Sequence, residues 1–197
     1  MKTKSKALLL ALCAVLLVAA SVLGTMAYLT SQAEVTNTFT VGSVSITLDE
    51  APVDANGEAT TGDRVTANSY KLMPGHEYDK DPTIHVAADS EDCWLFVQIT
   101  DEIAAIQDAD TIATQLAAKG WTLVTGTTNV YAHKDIANAG DDVVVFETFK
   151  IKGDIDNTTL ATYANKTIKV IAYAVQADGF DTAADAWTAA FGTPAQG

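Results

Sequence analysis

The chain has 197 residues, with 12 Lys and Arg against 25 Asp and Glu, for a net charge of −13. That balance excludes nucleic-acid binding, because phosphates need basic partners, and it favours solubility over random association. Two cysteines, Cys13 and Cys93, are too few for a disulfide-stapled scaffold, so the fold must stand on its core.

The chain opens like an export leader. Lys2, Lys4 and Lys6 form a basic head, and Ala7 to Val22 is a continuous run of apolar and small residues. Thr25-Met26-Ala27 places small residues at the two positions a signal peptidase reads, which predicts cleavage between Ala27 and Tyr28. An uncleaved anchor is the alternative, since the apolar run is near the lower length that spans a bilayer, roughly 17 residues. A lipoprotein reading is set aside because Leu12, not a small residue, precedes Cys13. Removing residues 1–27 leaves 170 residues, one domain's worth. Nine Lys and Arg then face all 25 acidic residues, a net charge of −16 that can hold divalent cations loosely. Only Cys93 remains, in the strand-like Cys-Trp-Leu-Phe-Val-Gln-Ile, where a buried thiol is expected.

Val35, Phe39 and Val41 alternate with Thr36, Thr38 and Thr40, although Asn37 interrupts the apolar face. Val44, Ile46 and Leu48 then alternate with Ser43, Ser45 and Thr47. Both runs have the period of a half-buried strand, but the phase slips at Gly42, which predicts a bulge or a change of sheet there. Residues 50–67 read as a polar loop, and Pro74-Gly75 as a tight turn. Thr83 to Ala87 and Cys93 to Thr100 read as strands. In the second, Leu95, Val97 and Ile99 point one way while Trp94 and Phe96 point the other, the pattern of a central strand.

Asp110 to Gly120 predicts a short helix with Asp110 as N-cap, Ile112 and Leu116 on one face and Gly120 just past its end. Trp121 to Val124, Val130 to His133, Val143 to Ile151 and Ile168 to Val175 follow as strands. A last helix is signalled by Thr182-x-x-Asp185, by an Ala183, Trp187, Phe191 stripe and by Gly192 with Pro194. Seven or eight short strands with two short helices predict a mainly β, antiparallel, jelly-roll-like sandwich after a signal peptide.

Catalytic motifs are sparse. His76-Glu77 opens like a zinc-protease helix, but the second His would fall at Lys80, and Pro74-Gly75 and Pro82 oppose a helix. His76, His85 and His133 are the three histidines, with no ligand spacing between them. Asp141-Asp142, Asp154-x-Asp156 and Asp178-x-x-Asp181 lack EF-hand spacing and read as solvated turns, with weak calcium sites as the alternative. No nucleophile elbow and no phosphate loop is present, and Gly192-Thr-Pro-Ala-Gln-Gly197 is neither a sortase-type signal nor a membrane tail.

Several stretches together resemble the TasA/CalY family, which includes camelysin. They are Gly24-Thr-Met-Ala-Tyr-Leu-Thr, Val35-Thr-Asn-Thr-Phe-Thr-Val-Gly, Tyr70-Lys-Leu-Met-Pro-Gly, Lys80-Asp-Pro-Thr-Ile, Glu91-Asp-Cys-Trp-Leu-Phe-Val and Ala172-Tyr-Ala-Val-Gln-Ala-Asp-Gly-Phe. The resemblance covers nearly the whole chain. It implies secretion from a Gram-positive bacterium after a dedicated signal peptidase has acted, a jelly-roll domain, and biofilm-matrix fibres built by donor-strand exchange.

On that reading residues 1–27 are the leader, 28–42 a donor segment and 43–197 the β domain. Tyr28, Leu29, Val35, Phe39 and Val41 form the polymer interface, and the partners are further copies of the chain and, during export, the signal peptidase. The membrane is met only through the uncleaved leader. Strand addition supplies main-chain hydrogen bonds and pockets for alternate side chains, and a head-to-tail contact propagates as an open filament. No catalytic residue, metal ligand or cofactor is expected. A camelysin-like metal-dependent protease and a monomeric surface-binding or adhesin module are the competing functions.

Overall fold

A computed structural model describes residues 5–6, 10–18, 42–108 and 112–192. The chain divides into two compact units, Met1–Thr40 and Val41–Gly197. In the first, residues 10–18 are helical, with Leu10, Leu12, Leu16 and Leu17 exposed. Among the described residues no helix is long and apolar enough to cross a membrane. Ala27, Tyr28, Leu29, Val35, Phe39 and Val41 lie outside the described residues, as do Asp110 and Pro194.

The second unit is mainly β. Strands β1 (Ile46–Asp49), β3 (Thr83–Val86) and β7 (Asp142–Val144) form one antiparallel sheet in the order β1-β3-β7. A second antiparallel sheet runs β5 (Trp121–Leu123), β6 (Val130–His133), β4 (Cys93–Asp101), β9 (Ile168–Gln176). A two-stranded ribbon joins β2 (Glu77–Asp79) to β8 (Thr148–Lys150). Helices α1 (Ile112–Ala118), α2 (Asn157–Ala161) and α3 (Ala183–Phe191) complete it, with a 3-10 turn at Ala104–Ile106.

The alternation in β4 explains how the layers stack. Leu95 and Val97, fully buried, and Ile99 face Ile84 and Val86 of β3, so the two sheets share one core, an arrangement compatible with a β-sandwich. Trp94 and Phe96 face the other way and meet Ala186 and Trp187 of α3. That helix starts where the sequence placed it: the Thr182 hydroxyl accepts from the Asp185 amide at 3.2 Å and donates to its carboxylate at 2.7 Å. A third apolar cluster lies under the ribbon, where Tyr78 and Phe149 stack with ring centroids 4.8 Å apart beside Ile103, Ile106 and Ile151.

Several expectations need correction. The described residues hold nine strands and, in the second unit, three α-helices and a 3-10 turn, more than the seven or eight strands and two helices expected. Val143 to Ile151 is not one strand. The chain leaves the sheet at Val145 and Phe146, both fully buried, and restarts at Thr148. Gln115 of α1 bridges the gap, its side-chain carbonyl accepting from the amides of Glu147 and Thr148 at 3.0 and 3.1 Å. The ribbon strand β2 and helix α2 had no place in the sequence reading. Asp156 is exposed, as expected of a solvated acidic turn, and in addition it is the N-cap of α2, accepting from the Thr159 amide at 2.9 Å.

Candidate strand-accepting groove

Two strands border the gap between the sheets. β1 pairs through its strand residues with β3 alone, and β9 pairs with β4 alone, among the described residues. Each therefore carries a row of main-chain groups on its free side, a template for another strand. Between Leu48–Glu50 and Ile168–Val170 lies an open groove of about 1040 Å³. Its apolar wall includes Leu48, Leu72, Leu160 and Val170, all half-buried, above Ile103 and Phe149 of the third cluster. Apolar side chains half exposed along a concave surface are the chemistry of a site that takes apolar partners.

The other wall is polar and fixed. The Lys80 ammonium lies 2.5 Å from the Glu50 carboxylate, with 10% and 6% of the two side chains exposed. Tyr70, whose hydroxyl donates to the Asp79 carbonyl at 2.9 Å, stands beside them, and Lys80 lies 5.9 Å from its ring centroid. Burial, and next to it the Glu50 charge, push the Tyr70 phenol well above its ordinary range, so it stays a neutral donor. Asn68 ties the loop down, its amide donating to the Ala51 carbonyl at 2.8 Å and its carbonyl accepting from the Val53 amide at 3.1 Å.

The path of the chain gives the groove a direction. Gly42 lies against Glu91, and the Ser43 carbonyl accepts from the Glu91 amide at 3.0 Å. β1 then runs away from that end, past Leu48, to the groove. Glu50 follows Gly42 by eight positions, about 26 Å if extended. The segment preceding Gly42 thus joins the domain at the end remote from the groove. Residues 42–45 stand outside β1, and the strand expected before Gly42 lies outside the described residues.

The histidines occupy three separate settings. His76 Nε2 lies 2.7 Å from the Asn56 carbonyl oxygen, and its ring meets Tyr78 edge-on. His133 packs on Trp121, and His85 lies between Asp49 and Asp142. Glu77–Asp79, the residues that follow His76, form a strand, so His76 and Lys80 do not share a helix face. Cys93 is fully buried, and burial foremost, helped by the charges of Asp92 and Asp141, pushes its thiol up to about 11, far from a nucleophilic thiolate. Among the described residues no three His, Cys, Asp or Glu side chains are grouped to hold a metal ion.

Periodicity missed the groove because its two walls come from strands over a hundred residues apart. The one local signal was the run Val170-Ile-Ala-Tyr-Ala-Val175, long and uncharged on a strand that proved to be an edge. These features define a mainly β, antiparallel domain with an apolar groove between two free strand edges. Compared with protein-family models, curated proteins and solved structures, the chain finds no match.

Proposed function

We propose that the chain is a secreted structural subunit that polymerises into extracellular matrix fibres by strand donation. The groove of one subunit takes the segment before Gly42 of the next, with Val35, Phe39 and Val41 seated against Leu48 and Val170. The placement of the groove carries this reading. It lies between two free edges, at the end of the domain remote from where that segment joins, so donation runs head to tail. A contact of that kind does not close on itself and builds a filament.

On this reading cleavage after Ala27 frees Tyr28 and Leu29 at the tip of the donor, the signal peptidase acts once during export, and the membrane is met only through the leader. The domain takes its place as a jelly roll of the TasA/CalY kind, with no catalytic residue and no cofactor. The high negative charge keeps fibres apart or lets divalent cations bundle them.

Phe39→Asp tests the reading. Seating a Phe side chain contributes about 1.5–3 kcal/mol, and a carboxylate there adds the cost of its own desolvation. The variant should remain a folded, soluble monomer by circular dichroism yet fail to elongate in sedimentation. Assembly equal to wild type would sink the donor role. Unfolding of the monomer would place Phe39 in the subunit's own core.

A further inference from the structure

The outer face of the three-stranded sheet carries a charged cluster that ties all three strands together. On the central strand β3, His85 stands opposite Thr47 of β1 and Asp142 of β7. Its Nε2 lies 2.9 Å from an Asp49 carboxylate oxygen and its Nδ1 2.5 Å from an Asp142 carboxylate oxygen. A carboxylate accepts and does not donate, so each ring nitrogen must carry a proton, and only the imidazolium has two N–H groups. Asp49 also accepts from Arg64 Nε. The same guanidinium reaches Asp81 at 2.9 Å and the Thr83 hydroxyl at 2.9 Å.

We propose that His85 is a proton-operated latch, which as the imidazolium holds both edge strands, β1 and β7, to β3, and which on losing its proton loosens β1. Asp49 belongs both to the latch and to the groove lining, so the latch sets how firmly β1 borders the groove. The latch stands on the His85 geometry; its effect on assembly rests on the strand-accepting reading above.

The groups around His85 define its sign. Asp49 faces it from β1 and Asp142 from β7, while Arg64 and Asp81 act through the shared Asp49 carboxylate. With His85 charged, two cations face three carboxylates; with it neutral, one cation faces three. Burial pulls the His85 imidazolium down, but hydrogen bonds to Asp49 and Asp142, with their charges, outweigh that and hold it above its ordinary 6.5. Its contribution is therefore complete below about 6.5 and is lost as pH rises through the higher folded-state value. Burial acts to raise Asp49, yet hydrogen bonds from Arg64 and His85 prevail and keep it below 3.8, so the anionic side of the latch persists into acid.

The test is hydrogen exchange of the Ile46–Asp49 amides in the dilute, unassembled full chain, beside an NMR titration of the His85 ring. As His85 loses its proton, opening of β1 should rise about threefold or more, after correction for base-catalysed intrinsic exchange, while β4 stays protected. His85→Gln should hold β1 at the faster level at every pH, and Asp142→Asn should move the step to lower pH. A wild-type β1 whose protection is flat through the His85 titration overturns the latch, as does a step unmoved in Asp142→Asn. Sedimentation across the same range separates the two ideas. An exchange step without polymer at any pH upholds the latch and counts against the fibre reading.

Discussion

Strands β4 and β9 are each nine residues long, pair with each other along their full length and are apolar on both faces. In β4 the residues Cys93 to Val97 are all buried. In β9 the residues Val170 to Val175 are all half-buried. The difference comes from position. β4 has β6 on its second side, the core between the sheets on one face and α3 on the other. β9 has a free edge beside the groove. Composition reports what a strand can bury; only its neighbours decide what it does bury, and on the proposed function the shortfall in β9 is where another strand would seat.

The largest test of this contrast is Phe96→Ala. Phe96 is fully buried in β4 with its ring centroid 5.0 Å from that of Trp187, and removing it should cost about 3–5 kcal/mol in urea unfolding. A cost below about 1 kcal/mol would mean that the layer under α3 is loosely packed, against the sealed state assigned to β4.

Next comes the groove's polar wall. Lys80→Ala strands the Glu50 carboxylate in a site where 6% of that side chain is exposed, and should cost about 3 kcal/mol. The Lys80→Met, Glu50→Leu double variant should recover most of that loss, because it leaves no unpaired charge. A denaturation cycle over the four proteins gives the coupling; additive losses would show that the two side chains act independently.

A matched pair sharpens the comparison directly. Ile99→Val in β4 should cost about 1 kcal/mol, and Ile168→Val in β9 about 0.5 kcal/mol or less, by the same unfolding measurement on the unassembled chain. In assembled material the Ile168 variant should lose more, since the groove would then be filled. Equal costs in both settings would erase the distinction between the strands.

The smallest effect is expected where the two strands end, at Asp101 opposite Ile168. Burial raises the Asp101 carboxyl above 3.8, against the hydrogen bonds it accepts from the Ile103 amide at 3.0 Å and Gln107 at 2.9 Å. Its ionised form therefore destabilises the fold as pH rises from 3.8 through the raised value, and not below 3.8. Asp101→Asn should remove that step and change neutral-pH stability by less than about 1 kcal/mol. Stability of the two proteins from pH 3 to 7 checks it.

Much of the fold was legible, for identifiable reasons. Leu95, Val97 and Ile99 against Trp94 and Phe96 gave β4 and both its faces, because each face meets a different apolar layer. Ile112, Leu116 and Gly120 gave α1, and Gly120 has the positive φ of 86° that its position just past the helix requires. Pro74-Gly75 gave a turn for the same reason, with φ 74° at Gly75. Other elements left no local trace. Glu77-Tyr78-Asp79 alternates over only three residues, too short a run to mark a strand, and it is one because β8 lies beside it. The continuous apolar run around Val145 and Phe146 hid a break that a side chain from α1 holds open. Of the candidate site, the donor half was drawn from the alternation before Gly42, which lies outside the described residues, whereas the acceptor half came only from the fold.

The two thiols differ in access, and that difference supplies a chemical probe of the proposed maturation. Cys13 is exposed in the first unit, and Cys93 is sealed in the second. A disulfide reagent added to the intact chain should titrate Cys13 at once and Cys93 only as fast as the β domain opens. If the proposed cleavage after Ala27 takes place, the cleaved chain should show the slow phase alone, so an absorbance trace would read leader loss and opening rate in one cuvette.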